Sequence, residues 1–179
     1  MPPEVSILTA NLALLEQGSE LIERLPEPLY GGGGGEVAKP VGPHFRHVLE
    51  HYSCFLDGLG ARRIDYDARA REAALESRRD AAVARIRELI GGLTALAGAE
   101  LETPAEVRLE CGVGGESDQW SRSTLRRELH FLLSHTVHHY ALIGLLLERH
   151  GHAPGPEFGV APSTLAHWRR QSTCAPQAG

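Results

Sequence analysis

Apolar residues recur at helical intervals in four segments of this chain, and the spacing predicts a helix in each. Residues 4–25 place Ile7, Leu8, Leu12, Leu15, Leu21 and Leu25 at helical spacing, and Pro26 and Pro28 end the run. Residues 42–60 open on Gly42-Pro43, with proline in the tolerated first turn, and present Phe45, Val48, Phe55, Leu56 and Leu59. Residues 72–98 carry Val83, Ile86, Leu89, Ile90 and Leu93, with Gly91-Gly92 as the point where a kink is expected. Residues 122–150 turn Leu125, Leu129, Leu132, Leu133, Val137, Ile143 and Leu147 inward, and Gly151 is placed to cap that helix.

The connections differ in character. Residues 26–41 hold the glycine run Gly31–Gly35, read as a mobile loop, because the Gly-Lys-Ser/Thr ending of a phosphate-cradling loop is missing. Residues 61–71 read as a polar connector. Glu106 to Cys111 alternates polar and apolar side chains, and Gly112, Gly114 and Gly115 follow, which suits a short strand and a turn. A short helix is expected at Thr164–Gln171, and the chain from about residue 172 reads as a frayed tail. The expected fold is all-α: a four-helix bundle with a small β-hairpin or irregular excursion between helices three and four, forming a single domain over residues 1–179.

Composition narrows the functional classes. The 179 residues are 42% hydrophobic and 23% charged, a globular balance that excludes whole-chain disorder. The net charge of −5 argues against a dedicated nucleic-acid binder. Three cysteines, Cys54, Cys111 and Cys174, share no CxxC spacing, so a reducing, cytoplasmic setting is expected. The first residues carry no basic region and do not read as a secretory signal. The apolar run Ala141–Leu147 is far short of the roughly 20 residues of a membrane span, so no membrane partner is expected.

Ten histidines are the anomaly. His135 and His139 are four apart, about 40° around a helix axis, so both imidazoles can reach one ion. Position 136 is threonine, so the water-activating glutamate of an HExxH metalloprotease is absent. His44, His47 and His51 form a single stripe on the second predicted helix, and Cys54 continues it. Facing these stripes toward each other gives three nitrogen ligands and an open position, the signature of a catalytic or ligand-binding metal. His47 and His51 each fit as the ligand from the second helix. Neutral imidazole suits zinc, nickel, copper or iron. His138, about 60° from His135, is a candidate for the surrounding shell or for substrate. Glu128 falls on nearly the same face as His135 and is a candidate to orient a ligand imidazole or act as a general base through water. His150, His152 and His167 are read as ordinary surface residues, and His130 and His44 with them.

These motifs have a family likeness. The stretch Gly42-Pro-His-Phe-Arg-His-Val-Leu-Glu-His-Tyr52 resembles the second-helix signature of the DinB/YfiT-like superfamily, and Ser134-His-Thr-Val-His-His-Tyr140 resembles its HxxxH helix. Asp65-Tyr66-Asp67 with Arg69 and Arg71, and Phe158-Gly-Val-Ala-Pro-Ser163, resemble segments of one bacterial branch, and the likeness spans about residues 5–170. The resemblance implies a bundle carrying one divalent transition metal, zinc or nickel, on His47, His135 and His139, with His51 as an alternate ligand. Characterised members include thiol S-transferases that use low-molecular-weight thiols.

Three readings follow: a metal-dependent thiol transferase or hydrolase, a non-catalytic metal- or small-ligand-binding stress protein, and a structural protein with incidental histidines. Under the first, the catalytic candidates are Glu128, His138 and Tyr66. Arg46, Arg69 and Arg71 are candidates to hold a substrate carboxylate or phosphate, and Tyr140 is a further donor into the site. The expected partner is a small molecule, with a low-molecular-weight thiol as the leading candidate. A homodimer is compatible with the bundle faces.

Overall fold

The computed structural model describes residues 6–32, 40–110 and 119–173. Gly33–Gly35 of the glycine run, Cys111 with the Gly112, Gly114 and Gly115 turn, and the last six residues with Cys174 lie outside the described residues. The described residues are mostly helical, with one small sheet. They form α1 (Ile7–Arg24), α2 (Glu27–Gly31), α3 (Gly42–Gly58), β1 (Arg63–Asp65), α4 (Ala73–Ser77), α5 (Arg79–Thr94), β2 (Pro104–Arg108), β3 (Ser121–Thr124), α6 (Leu125–Glu148) and α7 (Pro162–Thr173).

Local chemistry sets the ends. The Ser6 hydroxyl accepts from the Thr9 amide at 3.1 Å and caps α1, and the extended Leu25 ahead of Pro26 stops it. Pro43 lies in the first turn of α3. The Thr124 hydroxyl accepts from the Arg127 amide at 3.2 Å, so β3 passes into α6 without a loop. Gly151, at φ +75°, follows the end of α6.

The four long helices pack pairwise: α1 and α3 each contact both α5 and α6. Their shared core includes Leu15, Ile22, Phe45, Val48, Leu49, Tyr52, Phe55, Ile86, Leu129, Leu132, Tyr140 and Ile143, all fully buried. Inside this core lies a polar knot. The Tyr52 hydroxyl donates to Asn11 Oδ1 at 2.8 Å, Asn11 Nδ2 donates to the Ile7 and Leu129 carbonyls, and the Thr136 hydroxyl donates to the Leu132 carbonyl beside it.

Beside the helices sits a sheet of order β1-β2-β3. β1 pairs parallel with β2, Arg63 opposite Glu106, and β2 pairs antiparallel with β3, Pro104 opposite Thr124. The sheet therefore joins the end of α3 to the start of α6. No helix among the described residues is long and apolar enough to cross a membrane.

The structure corrects several expectations. The predicted helix over 72–98 is two helices, broken at Arg78, whose backbone is extended at φ −127° and ψ 117°. The cause is docking of α4 across the end of α2 and the start of α3. The Tyr30 hydroxyl donates to the Leu75 carbonyl at 2.5 Å, and a Cβ on Gly42 would lie 1.9 Å from the Glu76 carbonyl oxygen. Beyond the break α5 packs against α1 and α3. Within the predicted connections lie α2 and β1. Neither is long enough to show a period, and β1 buries only Ile64. The alternation expected over 106–111 is real but shifted, as β2 over Pro104–Arg108.

One close approach ties α1 to α6. A Cβ on Gly18 would lie 2.1 Å from the Tyr140 hydroxyl, which donates to the Leu14 carbonyl at 3.0 Å. Tyr140, a sequence candidate for the site, is thus a core residue that faces α1. Gly18→Ala should destabilise the fold by about 1–3 kcal/mol through overpacking. In a chain of this length that lowers Tm by roughly 3–10 °C. Thermal melts followed by circular dichroism check this, with Gly91→Ala on α5 as the comparison at an open position of ordinary backbone conformation.

Candidate metal centre

Two helices supply the centre. Tyr52 on α3 and Thr136 on α6 are fully buried and meet through their hydroxyls at 3.2 Å, and the histidine next to each, His51 and His135, lies at the centre, with ring centres 4.3 Å apart. One nitrogen from each of His47, His135 and His139 lies within 4.8 Å of the others. His47 Nε2 is 3.1 Å from His135 Nε2, and the ring centres of His47 and His135 stand 4.6 Å from that of His139.

His51 is the most buried of the set, at 3% exposure. Its Nδ1–H donates to the His47 carbonyl at 2.7 Å, and its ring centre is 4.3 Å from that of His135. The bond fixes the tautomer that leaves Nε2 with its lone pair. His44, set aside from the sequence as an ordinary residue, belongs to the cluster: its Nδ1 is 3.1 Å from His139 Nδ1. His138 is exposed and stands edge-on to His139, with ring centres 5.4 Å apart. His130, His150, His152 and His167 are exposed.

Burial and mutual repulsion keep this cluster uncharged. Burial, then the neighbouring histidines, hold His135 and His139 down to about 4. His51 is likewise lowered to about 4, chiefly by burial. His47 is lowered furthest, to about 2, by burial first and then by His51, His139, His135 and Arg69. Uncharged imidazoles are the form that ligates a metal.

A guanidinium borders the cluster. Arg69 Nη1 donates to His47 Nδ1 at 2.6 Å. Since arginine only donates, neutral His47 carries its proton on Nε2 and directs it at His135 Nε2. His135 Nδ1 is then a buried N–H with no partner.

Aromatic rings close one side. Tyr66 stacks on His51 with ring centres 5.5 Å apart, and Phe131 stacks on His135 at 5.5 Å. Behind them Glu128, 1% exposed, accepts from the Tyr66 hydroxyl at 2.9 Å, from Ser123 and from Arg127. Tyr66, Val107, Glu128 and Phe131 also line a cleft of about 220 Å³ between the sheet and α6. Glu128 thus reaches the histidines through Tyr66 and makes no hydrogen bond to them. Phe131 and Ser123 were not singled out from the sequence. Phe131 lies one helical turn before His135 on the same stripe, which is the signal that could have found it.

The other candidates stand elsewhere. Arg46 forms an ion pair with Glu76 and holds α4 to α3. Arg71 is exposed, at φ 51°. Cys54 is half-buried, and burial raises its thiol to about 11.

The residues fit a metal ion. Two nitrogens each about 2.0–2.1 Å from zinc can be at most about 4.2 Å apart, so small side-chain adjustments close the 4.8 Å set. The donors are all imidazole, which suits zinc, nickel, copper and iron rather than calcium or magnesium.

Comparison with known proteins adds one sequence likeness. A stretch of 108 residues, 60% of the chain, is 31% identical to FK506-binding protein 5 of Rhizopus delemar, and it spans 28% of that protein. No family model matches the chain, and no solved structure matches it.

The depressed histidines predict how stability depends on pH. Between pH 6.5 and about 4 the unfolded chain takes up protons that the folded cluster refuses, so acidification favours unfolding. The metal-free protein should melt several degrees lower at pH 5 than at pH 7. His51→Gln should flatten that slope, and His150→Gln should leave it unchanged. Calorimetry across this range checks it, and an equal Tm at the two pH values would refute the buried, neutral cluster.

Proposed function

We propose that this chain is a metal-dependent protein of the DinB/YfiT-like kind, a four-helix bundle with one divalent transition metal, zinc or nickel, on His47, His135 and His139. The observation that carries the reading is the convergence of three imidazole nitrogens from α3 and α6 within 4.8 Å. The second-helix and HxxxH motifs support it, as do the four long helices and their pairwise packing. His51, fixed by its own bond to the His47 carbonyl, then packs its ring against those of His47 and His135, two of the three ligands.

The reaction we propose is transfer of a low-molecular-weight thiol to a small electrophile. When bound, the ion supplies Lewis acidity that favours thiolate over thiol at neutral pH. The chain's own residues supply the rest. Phe131 and Tyr66 shield one side of the centre from water. Glu128 accepts the Tyr66 hydroxyl proton in a hydrogen bond and so holds that ring over His51. His138, exposed beside His139, is the group placed to exchange a proton with solvent.

Metal content by mass spectrometry on untagged protein tests the reading. The wild type should carry about one transition metal per chain, and His139→Ala should lose it, since each ligand is needed for a three-nitrogen site. Chelation should lower Tm and abolish turnover. Turnover that needs no thiol would make the protein a hydrolase, and tight metal binding without turnover a binding module. No metal at isolation, no uptake on titration and no shift in melting would overturn the metal centre.

A further inference from the structure

Most buried or half-buried arginines of this protein face an acid. Arg46 meets Glu76, Arg79 meets Glu27, Arg85 meets Glu72 and Glu88, and Arg108 meets Asp65. Arg69 does not. Among the described residues its one hydrogen bond goes to an imidazole, His47 Nδ1 at 2.6 Å, and its Nε–H is buried without a partner. Arg46 and Arg108 also leave a buried Nε unpaired, but each has a carboxylate on another nitrogen. Nor do the buried acids nearby serve Arg69: Glu50 accepts from the Glu72 amide at 2.7 Å, and Glu128 from Tyr66, Ser123 and Arg127.

Because Nη1 is the atom on His47, the side-on fork of Nε–H and Nη2 is the part left over. That fork presents two parallel donors, the geometry that a carboxylate accepts in bidentate fashion. A half-buried guanidinium without a counter-ion is costly, and an arriving anion removes that cost.

Loading of the centre would release Arg69 from His47. Whichever nitrogen of His47 takes an ion, Arg69 gives up its present bond. Ligation through Nδ1 uses the lone pair that Arg69 occupies. Ligation through Nε2 moves the ring's proton to Nδ1, where it faces another donor. Three neutral imidazoles also leave an ion's charge undiminished beside a second cation.

We propose that Arg69 is the anion receptor of the histidine centre, and that the molecule bound there carries a carboxylate which the Nε–Nη2 fork grips. The location rests on the metal-centre reading above, but the arginine's part can be tested with and without metal.

The probe is acetate, titrated against chloride at matched ionic strength. In the metal-free protein the readout is the ring nitrogen resonances of the histidines. Acetate should shift His47 saturably, because the guanidinium that grips it also donates to His47 Nδ1. In cobalt(II)-loaded protein the readout is the visible spectrum of the ion. In both forms Arg69→Gln should bind acetate at least about tenfold more weakly, and Arg69→Lys should fall between, keeping the charge but losing the fork. Circular dichroism confirms that each variant is folded, and Arg69→Lys decides the matter if Arg69→Gln is not.

Acetate affinities within about threefold of each other in wild type and variants, or no saturable change at His47, would overturn the receptor. A wild-type chain that takes up no cobalt would refute the metal centre instead, and the metal-free titration would still decide Arg69.

Discussion

The rotational setting of α3 and α6 about their own axes is the constraint on which the centre depends. Asn11, Tyr52 and Thr136 are fully buried polar groups in an apolar core, and each must find its partner there. Asn11 spans α1 to the Leu129 carbonyl of α6 while accepting from Tyr52 of α3. Turning either helix by one residue would strand these groups, at a cost of about 1–3 kcal/mol each. Apolar packing sets the buried face of each helix, the knot adds directional bonds that fix it more sharply, and the histidines next to Tyr52 and Thr136 inherit the alignment.

The interior and the histidine cluster differ in how completely they are satisfied. In the core, Tyr30, Tyr52, Asn11, Thr136 and Tyr140 all have hydrogen-bond partners. Around the centre, His135 Nδ1, Arg69 Nε and Asp67 Oδ2 are buried with none. Arg46 Nε and Arg108 Nε are unpaired as well, but each of those guanidiniums meets a carboxylate on another nitrogen. The stable framework and the unsatisfied groups are adjacent in sequence: Thr136 is in the core, and His135 is at the centre.

Much of this was legible in the sequence, and the rest was not for identifiable reasons. The HxxxH pair on one helix and the stripe on another were visible as spacing, because a long helix converts spacing directly into a shared face. The choice between His47 and His51 was not visible, since both lie on that face. It turns on which ring nitrogens converge: among the described residues His47, and not His51, brings one within 4.8 Å of those of His135 and His139. His44 was passed over because its partner, His139, lies 95 positions away. The break at Arg78 was hidden for a similar reason: Tyr30 and Gly42 make the contacts that bend the chain there. β1 pairs in parallel with a strand more than forty residues on, and three residues carry no period of their own.

The segment that bears Arg69 is pinned at both ends. The Tyr66 amide donates to the Arg108 carbonyl at 3.0 Å, and the Glu72 amide donates to Glu50 at 2.7 Å, with the Asp67 amide held by Asp65 between them. The backbone between the sheet and α4 is therefore a short tethered span. A guanidinium on such a span would trade one partner for another through its own side-chain torsions, which are faster than the microsecond-to-millisecond excursion of a hinge. On the receptor role proposed above, Arg69 would exchange His47 for an anion while the backbone that carries it stays tethered.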